Sequence, residues 1–185
     1  MSLKISLSWP AWSWKSALID AIVKKYWMQT VDVWKTFFRD RAVAKWLTVA
    51  EYDTIIEGSP QEDREIEEET KQFVESCSWD VIVWWRMWFY ILPNITSVWL
   101  DVSPAQWAER VFLADRWKQE PKYVTIQEAL ESNQNRMSKV RQRLLNVYGV
   151  DFTDTSHYTK ILDTTNKPFD QVLEEFEDFM KTLKK

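Results

Sequence analysis

The stretch that most constrains the fold is an apolar segment near the N-terminus that is followed by a turn and a Lys-Ser pair. Residues 3–14 read LKISLSWPAWSW, and a helical pattern begins at Lys15 and Ser16. Strand, loop and helix in this order are the layout of a phosphate-binding loop, whose pattern is G-x-x-x-x-G-K-S/T. The spacing, the lysine and the serine agree with that pattern, whereas Trp9 and Trp14 occupy the two glycine positions.

The amino-acid composition suggests a reason for this mismatch. The chain contains 13 Trp and 2 Gly among its 185 residues, whereas glycine makes up roughly 7% of a typical protein. Replacing each Trp of WPAWSWKS by Gly gives GPAGSGKS. Trp27 and Trp46 each follow a helical pattern, where a helix-ending glycine is expected. We therefore hypothesise that many of these tryptophans are UGA codons that the cell reads as glycine.

The hypothesis divides the tryptophans into two groups. The positions typical of glycine are 9, 12, 14, 27, 34, 46, 84, 88, 107 and 117. Trp85 and Trp99 fit a strand or a strand end and are expected to be genuine, and Trp79 is left unassigned. A phosphate-binding loop needs backbone N–H groups that face an anion, with no side chain in the way. The alternative is that all the tryptophans are real and form an aromatic cluster, which would fill the loop with indole rings.

Length, charge and cysteine content limit the classes of protein. A chain of 185 residues fits one domain with a sizeable core. The net charge of −4 argues against a surface built for nucleic acid. Cys77 is the single cysteine, so an internal disulfide is excluded, and His157 is the single histidine, so a histidine cluster is excluded too. With no signal-peptide pattern at the start, we expect a cytoplasmic protein.

The most apolar run, residues 80–102, has the length of a membrane span. Arg86, Pro93 and Asn94 interrupt it, which favours two buried strands joined by a loop. We therefore expect no contact with a membrane.

Strand patterns and helical patterns alternate along the chain. Strands are expected over residues 3–8, 28–33, 80–83, 97–102 and 158–163, and helices over 15–26, 35–45, 48–56, 60–77, 104–116, 126–148 and 168–183. Ser59, Ser103 and Thr125 precede three of the helices as expected N-caps. Such alternation predicts an α/β fold with a parallel sheet that is covered on both faces. Ligands of such sheets bind beyond the carboxyl ends of the strands.

Further segments carry recognisable motifs in a fixed order. They are VWKTFFR at 33–39, SPQEDREIE at 59–67, WWRMW at 84–88, VWLDVSP at 98–104, NRMSKVRQR at 135–143 and YGVD at 148–151. Together with WPAWSWKS, this set resembles the cytidylate kinase family of P-loop nucleoside monophosphate kinases over nearly the whole chain. The first motif is specific once Trp is read as Gly, and the others gain weight from their order and spacing.

The resemblance implies a P-loop NTPase fold, a three-layer α/β sandwich with a central parallel five-stranded sheet, a helical monophosphate-binding insert and a lid. The implied single domain covers residues 1–185. Its core would comprise 1–34, 78–112 and 144–185, its insert 35–77 and its lid 113–143.

The resemblance also implies transfer of a phosphoryl group from ATP to CMP or dCMP with Mg²⁺, in a monomer that binds no nucleic acid. ATP would be held by Trp9, Pro10, Ala11, Trp12, Ser13, Trp14, Lys15 and Ser16. The acceptor would be held by Arg39, Asp63, Arg86 and Arg141. Catalysis would rest on Lys15, Arg116, Arg136 and Arg143, and Mg²⁺ on Ser16 and Asp101.

Departures from the family pattern leave alternatives open. Trp84 stands where the family usually has an acidic residue, and Lys35 and Thr159 also replace acids. A kinase of this fold for another small acceptor, or an inactive nucleotide-binding or interaction protein, is therefore also considered. An aromatic platform for single-stranded nucleic acid or sugar ranks last, because the tryptophans cluster at turns and the net charge is negative.

Overall fold

The structure, a computed structural model, describes residues 2–9, 14–33, 39–48, 51–52, 55, 59–113 and 123–184, apart from the side chain of Asp63. Its five strands are β1 Lys4–Ser8, β2 Gln29–Asp32, β3 Val81–Trp84, β4 Thr96–Asp101 and β5 Lys160–Asp163. Its helices are α1 Lys15–Tyr26, α2 Asp40–Ala44, α3 Pro60–Ser76, α4 Trp88–Ile91, α5 Pro104–Leu113, α6 Ile126–Tyr148 and α7 Phe169–Leu183.

The strands form one parallel sheet in the order β2-β3-β1-β4-β5. This confirms the expected parallel five-stranded sheet. Because β1 lies in the middle, the loop that follows it opens at the centre of the carboxyl edge. Ser8, Asp32, Trp84, Asp101 and Asp163 are the last residues of the five strands and therefore mark that edge.

Helices cover both faces of the sheet. Successive residues of a strand point to opposite faces, so neighbouring residues of β3 contact different helices. On one face, Ile82 packs with residues of α1 and α7, among them Ile19 and Phe176. On the other face, Val81 and Val83 pack in a second cluster with residues of α3 and α4. Both faces are apolar because the sheet is buried on both sides.

The apolar run at residues 80–102 consists of β3, the short helix α4 and β4. The expectation of two buried strands is therefore confirmed. Across the described ranges, no helix has both the length and the apolar character needed to cross a membrane.

Two of the three expected N-caps are formed. The Thr125 hydroxyl accepts a hydrogen bond from Glu128 N at 3.0 Å, and the Ser103 hydroxyl accepts one from Gln106 N at 3.3 Å. The prediction for Ser59 is wrong, because its side chain makes no capping bond.

The residue expected to close the Ser59 capping box is engaged elsewhere. The Glu62 carboxylate accepts hydrogen bonds from the Tyr52 hydroxyl at 2.6 Å and from Lys45 Nζ. These partners come from a preceding segment of the chain, so the Glu62 carboxylate is engaged with residues outside its own helix.

Candidate functional site

Lys15 is the first residue of α1 and lies directly after the loop that leaves β1. Burial lowers the pKa of its ammonium group from 10.5 to about 8. The negative charge of Asp32 opposes this shift, and the positive charge of Arg86 adds to it. Lys15, Arg86 and Asp32 therefore share one electrostatic environment at the carboxyl edge of the sheet.

Two indole rings cover the Lys15 ammonium group. Its Nζ lies 4.2 Å from the centroid of the Trp9 ring and 4.7 Å from that of the Trp84 ring. Such cation–π contacts satisfy a buried ammonium group in part. They also take up the space around Nζ that phosphate oxygens need in a phosphate-binding loop.

Arg86 follows β3 and is half-buried beside the site. Its guanidinium carbon lies 5.8 Å from the centroid of the Phe152 ring and 5.9 Å from that of the Trp85 ring. The Ser8 hydroxyl donates a hydrogen bond to the Trp85 carbonyl at 2.8 Å. This bond ties the end of β1 to the segment that carries Arg86, so the structure brings Lys15 and Arg86 together as the sequence predicted.

Asp32 is a residue of this site that the sequence analysis missed. It ends β2 and lies opposite Trp84 in the sheet register. The only signal in the sequence is its position at the end of a strand, since every such position of a parallel sheet lies at the ligand-binding edge. Asp32 thus supplies a negative charge next to Trp84.

A second group that the sequence analysis missed lies beside the N-terminus of α1. The Arg110 guanidinium carbon is 4.9 Å from the centroid of the Trp14 ring, which in turn lies 5.9 Å from the Phe169 ring. Arg110 also donates hydrogen bonds to the carbonyl groups of Thr164 and Thr165. These bonds fix a planar cation next to the loop, at the edge formed by β4 and β5.

The metal ligands predicted from the sequence lie at expected places in the fold. Ser16 is exposed in the first turn of α1, and Asp101 ends β4. The Asp101 carboxylate accepts a hydrogen bond from the Trp99 indole nitrogen at 3.3 Å, and its carbonyl accepts one from the Thr164 amide at 2.8 Å. Within the described ranges, no group of three or more acidic, histidine or cysteine side chains is arranged to hold a metal ion.

The other predicted arginines lie on helices. Arg39 is exposed at the start of α2, Arg136 is exposed on α6 and Arg143 is half-buried on α6. The Arg141 guanidinium donates two hydrogen bonds to the Asp151 carboxylate, at 2.9 Å from Nε and 2.5 Å from Nη2. Arg141 is therefore held by an acid of the same chain.

The remaining predicted residues lie outside the described part of the chain. They are Pro10, Ala11, Trp12 and Ser13 of the loop, Arg116, and the side chain of Asp63. Trp34 and Trp117 of the recoding hypothesis also lie outside it.

The chain is 30% identical to an S-adenosylmethionine-dependent nucleotide dehydratase of Lacinutrix mariniflava, over 96% of this chain and 36% of that protein. It is 30% identical to the cytidylate kinase of Pyrococcus furiosus, over 69% of this chain and 62% of that kinase. It is 29% identical to the cytidylate kinase of Pyrococcus abyssi, over 88% of this chain and 85% of that kinase.

The chain thus spans about a third of the dehydratase and less than two thirds of the Pyrococcus furiosus kinase. No protein-family model matches it.

Solved structures share the architecture at low sequence identity. A shikimate kinase of Bacteroides thetaiotaomicron superposes with a TM-score of 0.64 at 14% identity, over 97% of this chain and 98% of that one. A gluconokinase of Sinorhizobium meliloti gives a TM-score of 0.53 at 13% identity, over 94% of this chain and 88% of that one. The chain therefore has the α/β fold of the P-loop kinases, and its sequence is similar to those of cytidylate kinases.

Proposed function

We propose that the chain transfers the γ-phosphoryl group of ATP to a nucleoside monophosphate, with CMP or dCMP as the acceptor. The observation that carries the proposal is the meeting of Lys15 and Arg86 at the carboxyl edge of the sheet, directly after a strand, a loop and a Lys-Ser helix start. The similarity to cytidylate kinases over 88% of the chain supports the choice of acceptor.

The proposed step is an in-line displacement. An oxygen of the acceptor phosphate forms a bond to the γ-phosphorus of ATP, while the bond from that phosphorus to the β,γ-bridging oxygen breaks. ADP leaves with the electrons of the broken bond, and CMP becomes CDP. Enzymes accelerate this reaction mainly by positioning the groups and offsetting their charge.

Each charged group at the edge has a part in this step. Lys15 offsets negative charge on the β- and γ-phosphates, and the planar fork of Arg86 binds oxygens of the acceptor phosphate. Arg110, a planar cation beside the loop, offers a face on which the donor base stacks.

The insert and the lid supply the other groups in this proposal. Arg39 and Asp63 bind the acceptor from the insert of residues 35–77, and Arg141, which pairs with Asp151 in this structure, binds it from α6. Arg116, Arg136 and Arg143 close over the phosphates from the lid of residues 113–143. Closure excludes water and so limits hydrolysis of ATP.

The residues at the edge fit a magnesium ion. Mg²⁺ prefers oxygen ligands and binds through one or two protein groups together with substrate phosphates. The Ser16 hydroxyl and the Asp101 carboxylate are such groups, and Asp32 adds a second carboxylate at the same edge. The ion, when bound with ATP, offsets charge on the phosphates.

A second candidate function is an inactive nucleotide-binding or interaction protein. The observation that favours it is the pair of indole rings over Lys15 Nζ. If these tryptophans are present in the cell, their rings occupy space that ATP phosphates need around the ammonium group. The choice between the two functions therefore depends on which residues occupy positions 9 and 84.

The test uses the chain with glycine at positions 9, 12, 14 and 84. We expect ADP to form with ATP, Mg²⁺ and CMP or dCMP, and at lower rates with UMP, AMP or shikimate as acceptor. Lys15→Met lowers kcat/KM by roughly 10²–10³-fold, because a charge-stabilising group of the transition state is lost. The matched control is Lys24→Met, an exposed position of the same helix, which keeps the activity.

Two outcomes contradict the proposal. Equal rates with Lys15→Met and Lys24→Met exclude Lys15 from the chemistry. A folded glycine-containing chain that forms no ADP with any of these acceptors favours the inactive protein instead.

A further inference from the structure

We infer that positions 14, 27 and 46 are glycine in the native protein, as are the buried positions 88 and 107, whereas Trp99 is a genuine tryptophan. The inference goes beyond the proposed function, because its tests measure amino-acid identity and stability and not phosphoryl transfer.

The first evidence for this inference is the left-handed backbone conformation of three tryptophans. Four described residues have left-handed backbone angles, namely Gly149 at φ 69° and Trp14, Trp27 and Trp46 at φ 60°, 55° and 57°. Non-glycine residues in this region are uncommon, and those found there are mostly Asn and Asp. Tryptophan accounts for 13 of the 185 residues, so three tryptophans at three such positions are not a chance distribution.

The surroundings of Trp27 and Trp46 show no compensation for the strain. The side chains of Trp27 and Trp46 are 91% and 96% exposed, so they gain almost no packing energy. Trp27 ends α1 in the same conformation in which Gly149 ends α6. A left-handed residue at a helix end is a common place for glycine.

The second evidence is the hydrogen bonding of the buried indole nitrogens. Within the described residues, the indole nitrogens of Trp88 and Trp107 are buried without a hydrogen-bond partner. A buried indole N–H normally has one. Trp99 differs, since its indole nitrogen donates to Asp101 and its ring contacts Phe152 and Tyr158.

A single rule of decoding accounts for both observations. Suppose that the cell reads UGA as glycine and UGG as tryptophan. A translation table that assigns both codons to tryptophan then writes tryptophan at glycine positions and gives the genuine tryptophans correctly. Position 14 has a functional consequence, because its ring lies between Arg110 and Phe169 beside Lys15. Glycine there opens this space to a ligand.

The decisive experiment is peptide mass spectrometry of the protein purified from the cells that carry its gene, with the codons read in parallel. We expect glycine masses and UGA codons at positions 14, 27, 46, 88 and 107, and a tryptophan mass and a UGG codon at 99. Tryptophan at 14, 27 or 46 overturns the inference. Glycine at 99 overturns the division into two groups.

A second measurement tests the backbone argument on the recombinant chain. Trp27→Gly and Trp46→Gly are each expected to lower the unfolding equilibrium constant about five- to thirtyfold, because the left-handed conformation is strained by any Cβ atom. The matched variants Trp27→Ala and Trp46→Ala retain that strain and gain much less. Equal stability of the glycine and alanine variants overturns the argument, and Trp99→Gly, at a buried position, serves as the destabilising reference.

Discussion

At the scale of single residues, Lys15 determines most of what the site is able to do. Burial lowers the pKa of Lys15, because its charged form is less stable in the folded protein than in water. The buried charge therefore reduces the free energy of unfolding. Phosphate groups next to the ammonium would stabilise its charge. The lowered pKa is therefore consistent with a site that becomes electrically balanced when an anion binds.

The buried charge of Lys15 predicts a pH dependence of stability. The pKa of Lys15 is about 8 in the folded state, and its ordinary value of 10.5 applies to the unfolded state. The unfolded state therefore binds more protons between these two pH values. The free energy of unfolding therefore gains a contribution that rises with pH from about 8 to 10.5, and below pH 8 the cost of burial is fully present. Lys15→Met removes this contribution, whereas Lys24→Met on the exposed side of α1 retains it.

Urea unfolding of the three proteins at pH 7 and pH 10 measures this difference. We expect the stability gained by Lys15→Met to be larger at pH 7 than at pH 10. Parallel pH profiles for Lys15→Met and Lys24→Met would show that Lys15 is not buried as a cation.

At the scale of elements, α6 is held at both ends by local bonds and by side-chain pairs with other segments, such as Tyr148 with Glu67. Thr125 caps its N-terminus, and Gly149 ends it in the left-handed conformation. Near the C-terminus, Arg141 binds Asp151 in the segment that leads to β5. This helix, which carries Arg136 and Arg143 of the predicted lid, is thus tied at its C-terminal end to the segment before β5.

The N-cap of α6 predicts a measurable loss of stability. Thr125→Ala removes the hydroxyl that accepts from Glu128 N and is expected to cost about 1 kcal/mol of unfolding free energy. The reference variant is Thr182→Ala, an exposed threonine in the last turn of α7. Thermal unfolding followed by circular dichroism measures both, and equal losses would mean that the cap contributes nothing.

The Arg141–Asp151 pair predicts an acid-dependent contribution. Hydrogen bonds from Arg141, together with those from Thr153, lower the pKa of Asp151 from 3.8 to about 2. Because the folded pKa is the lower one, the stabilisation is present above pH 3.8 and is lost as the pH falls toward 2. The pair is partly exposed, so we expect about 1 kcal/mol or less.

Asp151→Asn tests this contribution against Asp20→Asn, an exposed carboxylate of α1. We expect Asp151→Asn to be the less stable variant at pH 6, with the difference shrinking as the pH falls from 3.8 through about 2. A difference that stays constant down to pH 2 would mean that the loss is steric and not ionic.

At the scale of the whole molecule, the two faces of the sheet depend on different helices. Phe176 of α7 is fully buried in the cluster that also contains Ile5, Leu7 and residues of α1. The cluster thus contains residues of β1 and α1, the two elements that flank the candidate loop. The geometry around Lys15 therefore depends on packing that lies on one face of the sheet.

Truncation of the Phe176 side chain is expected to lower the stability of the protein strongly. Phe176→Ala is expected to lower the free energy of unfolding by about 3–5 kcal/mol, because it removes buried contacts and leaves a cavity. Phe73→Ala, at a side chain of α3 that is 44% exposed, is the matched control and should cost much less. Urea denaturation at a fixed pH compares them, and similar losses would place the main core elsewhere.

The sequence by itself determined the parallel sheet, the order of its elements and the position of Lys15 at a helix start after the first strand. These features follow from local patterns, since the periodicity of apolar residues and the capping residues act within a few positions of the chain. The caps at Ser103 and Thr125 belong to the same class and are present in the structure. The alternation of strands and helices was enough to place the candidate site at the carboxyl edge.

Only the tertiary structure decided which side chains meet at that edge. Asp32 and Arg110 join the site through the order of strands and through bonds to distant carbonyl groups, which no local pattern encodes. The bonds of the Glu62 carboxylate to Tyr52 and Lys45 have the same origin, because these partners come from an earlier segment of the chain. Contacts between residues far apart in the chain depend on the packing of the whole molecule, and for that reason they lie beyond what a single sequence determines.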